Sequence, residues 1–180
     1  IQRMTEGGPV EGQIDLDGYT YRFPSIPFAA PPTGANRFRA PQPPASWTGV
    51  RTYASASTPR ICPQKIPLGD LGLSVGDEDC LYLNVVVPAS LPTSAPVIVW
   101  IHGGGFSINS GDEFDNATNG IQLAERTGAV VVTINYRLAQ LGFLAHPALT
   151  AEAGHSGNFG LLDQFAALRW VKRNIATFGG

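Results

Sequence analysis

Charge is scarce in these 180 residues. Asp, Glu, Lys and Arg together make up 14%, and the formal net charge is −2. That balance offers no electrostatic footing for nucleic acid or an anionic membrane surface. Long apolar runs are missing too, since none approaches the roughly 20 residues that a transmembrane helix needs. The amino terminus, Ile1-Gln2-Arg3, carries no apolar leader core, so that end reads as processed or trimmed. Cysteine occurs only at Cys62 and Cys80. Their separation excludes a C-x-x-C redox or zinc motif, and two thiols make a poor metal site, so no metal is expected. A disulfide is the better reading. Closing a loop of this size is worth about 3 kcal/mol in the chain-entropy view.

What is present is globular. Hydrophobic residues make up 43%, and the 21 Gly and 15 Pro are spread among apolar segments rather than pooled in one tract. The length suits one domain with a sizeable core. Asn116-Ala117-Thr118 is an acceptable N-glycosylation sequon in a polar stretch. With the disulfide, it favours an oxidising, secretory compartment and a secreted protein.

Along the chain, 8–15 and 19–23 flank Asp17-Gly18, a dipeptide that predicts a two-residue hairpin turn. Prolines from Pro24 to Pro44 are too frequent for helix or central strand and predict an extended arm. The stretch between the cysteines reads as a glycine-bearing loop, and 81–87 as a strand ended by Pro88. Residues 97–101 form an all-apolar, largely β-branched run, predicted to be a strand buried on both faces. A short helix over 117–126, capped by Gly128, leads to a second apolar strand from Ala129. Strand, helix, strand in that order predicts a βαβ crossover with parallel strands. A final helix spans about 159–178, with Leu161, Phe165, Leu168, Val171, Ile175 and Phe178 as its expected core stripe. So few parallel strands leave edges and faces uncovered, which reads as the front part of a larger α/β fold.

The chemistry-bearing segment follows the run at 97–101: His102-Gly103-Gly104-Gly105-Phe106. Loops past the carboxyl ends of such strands hold ligands in open α/β sheets. Glycine lets successive N–H groups turn toward one point, as suits an oxygen that becomes negative during acyl transfer. A phosphate cradle fits less well. Ile108 stands where G-x-G-x-x-G needs its third glycine, and no G-x-x-x-x-G-K-S/T occurs. Gly154-His155-Ser156-Gly157 is not G-x-S-x-G, because Asn158 follows and no buried strand precedes it. Ser156 reads as part of the approach to the last helix, His102 as a packing residue and His146 as a turn residue. Trp47, Trp100 and Trp170 read as core.

Six segments together resemble the type-B carboxylesterases, the cholinesterase-like branch of the α/β-hydrolase superfamily. They are Ile26-Pro27-Phe28-Ala29-Ala30-Pro31-Pro32 with Arg37-Phe38, Glu78-Asp79-Cys80-Leu81-Tyr82-Leu83-Asn84-Val85, and His102 to Phe106. Asn135-Tyr136-Arg137 with Gly142-Phe143-Leu144, Gly157 to Gln164, and Asn174-Ile175 with Phe178-Gly179-Gly180 complete the set. The resemblance runs nearly the whole length, in the family's order.

It implies the N-terminal portion of one carboxylesterase domain over 1–180, ending before the nucleophile elbow. The fold would have an N-terminal β-hairpin, the start of a mixed, mostly parallel sheet and flanking helices. Gly104 and Gly105 would donate backbone N–H bonds in an oxyanion hole, and Cys62 would bond Cys80. Arg37 with Glu78, and Arg137 with Asp163, would form buried ion pairs whose value is more geometric than energetic. The serine, acid and histidine of the triad would lie downstream, and the rest of the domain would be required. No cofactor is implied. The substrate would be a small-molecule or lipid ester, and the short Cys62–Cys80 segment would favour soluble or short-acyl esters over emulsified lipid. A catalytically dead, cholinesterase-like adhesion protein is the alternative, as is a truncated product with no activity of its own.

Overall fold

A computed structural model describes residues 1–15, 18–52, 60–68, 71–91, 94–111 and 120–180. Three short strands, β1 (Gln2–Met4), β2 (Pro9–Glu11) and β3 (Gln13–Ile14), precede the long β4 (Thr20–Pro27). A hairpin of β5 (Gln64–Leu68) and β6 (Leu71–Val75) follows, then β7 (Tyr82–Pro88) and β8 (Val97–Ile101). Helix α1 (Ile121–Thr127) leads to β9 (Val130–Ile134), and α2 (Ala139–Phe143), α3 (Pro147–Ala153) and α4 (Phe159–Asn174) complete the chain. A 3-10 turn, Ile175–Phe178, ends α4.

The main sheet has the order β3-β4-β7-β9-β8. It is mixed: β8 and β9 run parallel, from Val97 opposite Val130 to Ile101 opposite Ile134, and the other pairings are antiparallel. The β8-α1-β9 unit therefore has the parallel strands that its pattern predicts. Helix α4 and Phe178 cover one face with Phe23, Leu83, Val85, Val130 and Val132. The other face packs Val86 and Val131 against Ala124 of α1. With cover on both sides, β9 is apolar at four of its five positions, and the hydroxyl of the fifth, the buried Thr133, accepts from Asn84 Nδ2 at 3.0 Å.

Several expectations need correction. β8 is the edge of the described sheet, and Trp100 and Ile101 keep 42% and 39% of their surface exposed. It is not buried on both faces. Strand β4 continues through Pro24 to Pro27, where an extended arm was expected. Its register with β7 shifts between Phe23 and Ile26, and Ser25 takes φ 53°. At such a bulge the missing proline N–H costs no ladder bond. Ser25 N instead donates to the Asn84 side chain at 2.9 Å. The segment between the cysteines is a β-hairpin rather than a loop, with Gln64 opposite Val75. The pairing of Ile14 with Tyr21 sets the first hairpin connection wider than two residues, and Asp17 lies outside the described residues. Of the helix expected over 117–126, residues 117–119 also lie outside; the described part is Ile121–Thr127, closed by Gly128.

The core stripe of α4 is half misassigned. Val171 and Phe178 are buried, but Leu161, Phe165 and Leu168 are exposed. The inward face is Phe159, Gly160, Asp163, Ala167, Trp170, Val171 and Asn174. Two of its members are polar, so a hydrophobic pattern passes over it. They are tolerated inside because each finds partners: Asp163 binds Arg137, and Asn174 accepts from Glu6 N and donates to Trp170 O.

Candidate active site

The glycine segment begins where β8 stops. His102 is buried, its ring stacked on Tyr136 at 4.4 Å between centroids, and the Tyr136 hydroxyl donates to His102 O at 2.9 Å. Burial raises the Tyr136 phenol above its usual range, so it stays a neutral donor at physiological pH. Gly103, Gly104 and Gly105 then emerge into solvent, with φ 106° at Gly104 and 60° at Gly105. Both angles suit glycine. At Gly104 a Cβ would also stand 2.1 Å from Ile108 O, whereas Gly105 faces open space.

The carbonyl of Gly104 accepts from Ser107 N (3.1 Å) and Ile108 N (3.2 Å), which curls the segment into one turn. Phe106, at φ 60°, seats its ring on Phe143 at 4.8 Å and takes the Ala139 amide on its carbonyl at 2.7 Å. Asn109 is left-handed too, at φ 95°. Positive φ in non-glycine residues is strained and concentrates where function requires a fixed geometry. At the far end Gly111 N donates to Asn135 Oδ1 at 2.9 Å. The amides of Gly103, Gly104 and Gly105, by contrast, donate to no acceptor among the described residues. They are not in ladder pairing. A held loop thus presents a row of amides with no acceptor among the described residues, on residues exposed to solvent.

Around it, Cys62 and Cys80 are disulfide-bonded, with S–S 2.00 Å. Asn135 Nδ2 donates to Cys80 O at 3.2 Å and to Arg60 O, tying the disulfide to the end of β9. The two expected ion pairs both form, in different surroundings. Arg137 meets Asp163 through Nε (2.8 Å), Nη2 (2.7 Å) and its backbone amide (3.0 Å), with side chains 3% and 0% exposed. Burial raises the Asp163 carboxyl, while Arg137 acts in the opposite sense. Arg37 grips Glu78 with two bonds of 2.7 Å, but at 44% and 28% exposure this pair is not buried. Asn116 lies outside the described residues.

Ser156 sits beside His146, yet its hydroxyl meets Thr150 Oγ1 (2.6 Å) and the His146 carbonyl, not the ring. The ring Nδ1 instead accepts from Ala148 N at 3.2 Å, capping α3. Among the described residues no group of His, Cys, Asp or Glu is fit to hold a metal, and no helix is long and apolar enough to cross a membrane. An open cleft of about 520 Å³ lies next to the glycine segment, walled by Ser107, Gln64, Lys65, Ser74 and Gln140. A groove of similar size between the proline-rich arm and α4 is lined by Gln42, Leu162 and Arg169, away from these amides. The polar residues that hold the loop, Gln64 at Asn109 and Asn84 and Asn135 at Gly111, escape a hydrophobic-pattern reading. Asn84 and Asn135 stand inside segments that carry the resemblance, whereas Gln64 has no such signal.

The carboxylesterase family profile matches residues 2–180. The chain belongs to the carboxylesterase family. Its fold is that family's α/β-hydrolase fold in part. It is 45% identical to a fumonisin B1 esterase of Sphingopyxis macrogoltabida over all of its own length and 33% of that protein's. It is 43% identical to the para-nitrobenzyl esterase of Bacillus subtilis (strain 168), across 98% of this chain and 35% of the relative. Among solved structures, a thermophilic PNB esterase superposes with a TM-score of 0.85 at 41% identity, covering 99% of this chain and 36% of that one. The chain thus spans about a third of the length of the curated relatives it matches.

Proposed function

We propose that residues 1–180 are the N-terminal portion of a single serine carboxylic-ester hydrolase domain, in which Gly104 and Gly105 supply two donors of the oxyanion hole. The observation that supports this reading is the pair of Gly104 and Gly105 amides, which have no acceptor among the described residues, in a loop held at Phe106, Ile108, Asn109 and Gly111. Family membership supplies the reaction class. A serine from outside 1–180, activated by a histidine that an acid orients, would attack the ester carbonyl. The carbonyl oxygen would take the negative charge and accept from the two glycine N–H groups, and a loop held in one geometry would lower the cost of reorganisation. Collapse would expel the alcohol, and water would release the acid. Small-molecule esters are the substrate class that relatives named for fumonisin B1 and para-nitrobenzyl esters support. The disulfide, with the sequon at Asn116, supports a secreted protein.

The test is hydrolysis of p-nitrophenyl acetate by the full-length protein. Gly104→Ala is expected to lower kcat about 10²–10³-fold with little change in KM, and Gly105→Ala, which has room for its methyl, less. Residues 1–180 alone are expected to show no turnover. Wild-type kcat in Gly104→Ala, or an effect confined to KM, would refute the assignment. A glycine or alanine at the nucleophile position of the full-length chain would point to an adhesion protein instead.

A further inference from the structure

We propose that Gln64 is a positioning residue that sets the glycine segment in register by clamping Asn109. The inference rests on the oxyanion-hole reading of Gly104 and Gly105. Gln64 spends its whole side-chain amide at this point. Its Oε1 accepts from Asn109 N at 2.7 Å, and its Nε2 donates to Asn109 O at 3.0 Å and to Cys62 O at 3.1 Å. Both backbone groups of Asn109 are therefore taken by one side chain, as a neighbouring strand would take them. A carboxamide carries its acceptor and its donor on separate atoms, so it can accept from the N–H and donate to the C=O of one residue at once.

Asn109 is where such a clamp matters. It holds φ 95°, and the residue before it, Ile108, places its carbonyl in the space that a side chain at 104 would need. Ser107 N and Ile108 N both end on Gly104 O. A shift of Asn109 is thus passed through Ile108 directly to the Gly104 peptide. The other anchors act elsewhere: the Tyr136 stack holds the segment at His102, Ala139 N and Phe143 hold it at Phe106, and Asn135 holds it at Gly111. The clamp also ties the loop to β5, whose base is closed by the Cys62–Cys80 bond. A hairpin far from Gly104 in sequence thereby sets the aim of its amide.

The experiment compares Gln64→Met with Ile66→Ala in the full-length protein. Ile66 is on the same strand, partly exposed, and has no bond to Asn109. Gln64→Met is expected to lower kcat about tenfold or more, with KM within about twofold, because donor misplacement acts on the transition state. Affinity for a trifluoromethyl ketone that mimics the tetrahedral state should fall by the same factor. Ile66→Ala should leave both unchanged. Hydrogen exchange over a peptide spanning 103–110 should quicken in Gln64→Met alone. Wild-type kcat and unchanged exchange in Gln64→Met would overturn the proposal, as would an equal loss of kcat in Ile66→Ala. If the wild-type protein hydrolyses no ester, the oxyanion-hole reading fails by itself. Exchange then decides the positioning role, and an unaltered rate refutes it.

Discussion

Strands β8 and β9 are parallel neighbours of five residues each, Val-Ile-Val-Trp-Ile and Val-Val-Val-Thr-Ile, and they end in opposite circumstances. β9 is covered on both faces and paired on both sides. It runs into Asn135, Tyr136 and Arg137, all buried and all bonded. β8 is paired on one side only and runs into exposed glycines whose amides have no acceptor among the described residues. One strand end is tied into the core, and the other ends in amides open to solvent. The first holds the second still: Tyr136 carries the His102 ring, and Asn135 takes the Gly111 amide. Donors that the protein leaves unpaired are useful for chemistry when their surroundings hold them in a fixed position.

The contrast can be broken most severely at the buried ion pair beyond β9. Asp163→Asn leaves the Arg137 charge inside without its counter-ion and should cost about 3–5 kcal/mol in chemical denaturation. Glu78→Gln, at the more exposed and solvent-screened Arg37 pair, should cost far less. Similar losses for the two would mean that burial does not separate them.

The strands themselves give a smaller effect. Ile134→Val should cost about 0.5–1.5 kcal/mol, because the methyl group leaves a filled core. Ile101→Val, on the exposed edge, should stay within about 0.5 kcal/mol. Equal losses in the full-length protein would show that β8 is covered there by chain outside 1–180.

The smallest effect belongs to the exposed end of α4, where Arg173 grips Glu6 with bonds of 2.7 and 2.8 Å. The Arg173 hydrogen bonds hold the Glu6 carboxyl below its ordinary 4.5, against a weaker opposing pull from burial. A depressed carboxyl stabilises the fold above the unfolded-state value, and that contribution fades as pH falls through the folded-state one. Glu6→Gln should therefore flatten the acid limb of the stability profile slightly. It should leave neutral-pH stability nearly unchanged in high salt, where the exposed pair is screened.

Much of this was legible in the residues. Apolar runs located β7, β8 and β9, the helix between β8 and β9 implied their parallel pairing, and motif order identified the family. Periodicity failed on α4 for a definite reason. Its inward face carries Asp163 and Asn174, which a hydrophobic pattern rejects and which only Arg137 and the Glu6 amide make tolerable inside. It failed on β4 because a bulge at Pro24–Ser25 lets a proline stay within a strand.

The order of residues alone determined that β7, β8 and β9 would be strands, that helices would lie at α1 and α4, and that glycines would follow β8, since these depend on local periodicity and backbone freedom. Only the tertiary structure decided which of two look-alike strands is central, which ion pair is dry, and that Gln64 reaches Asn109. Burial and long-range hydrogen bonds depend on what packs alongside, and no local pattern encodes the neighbour.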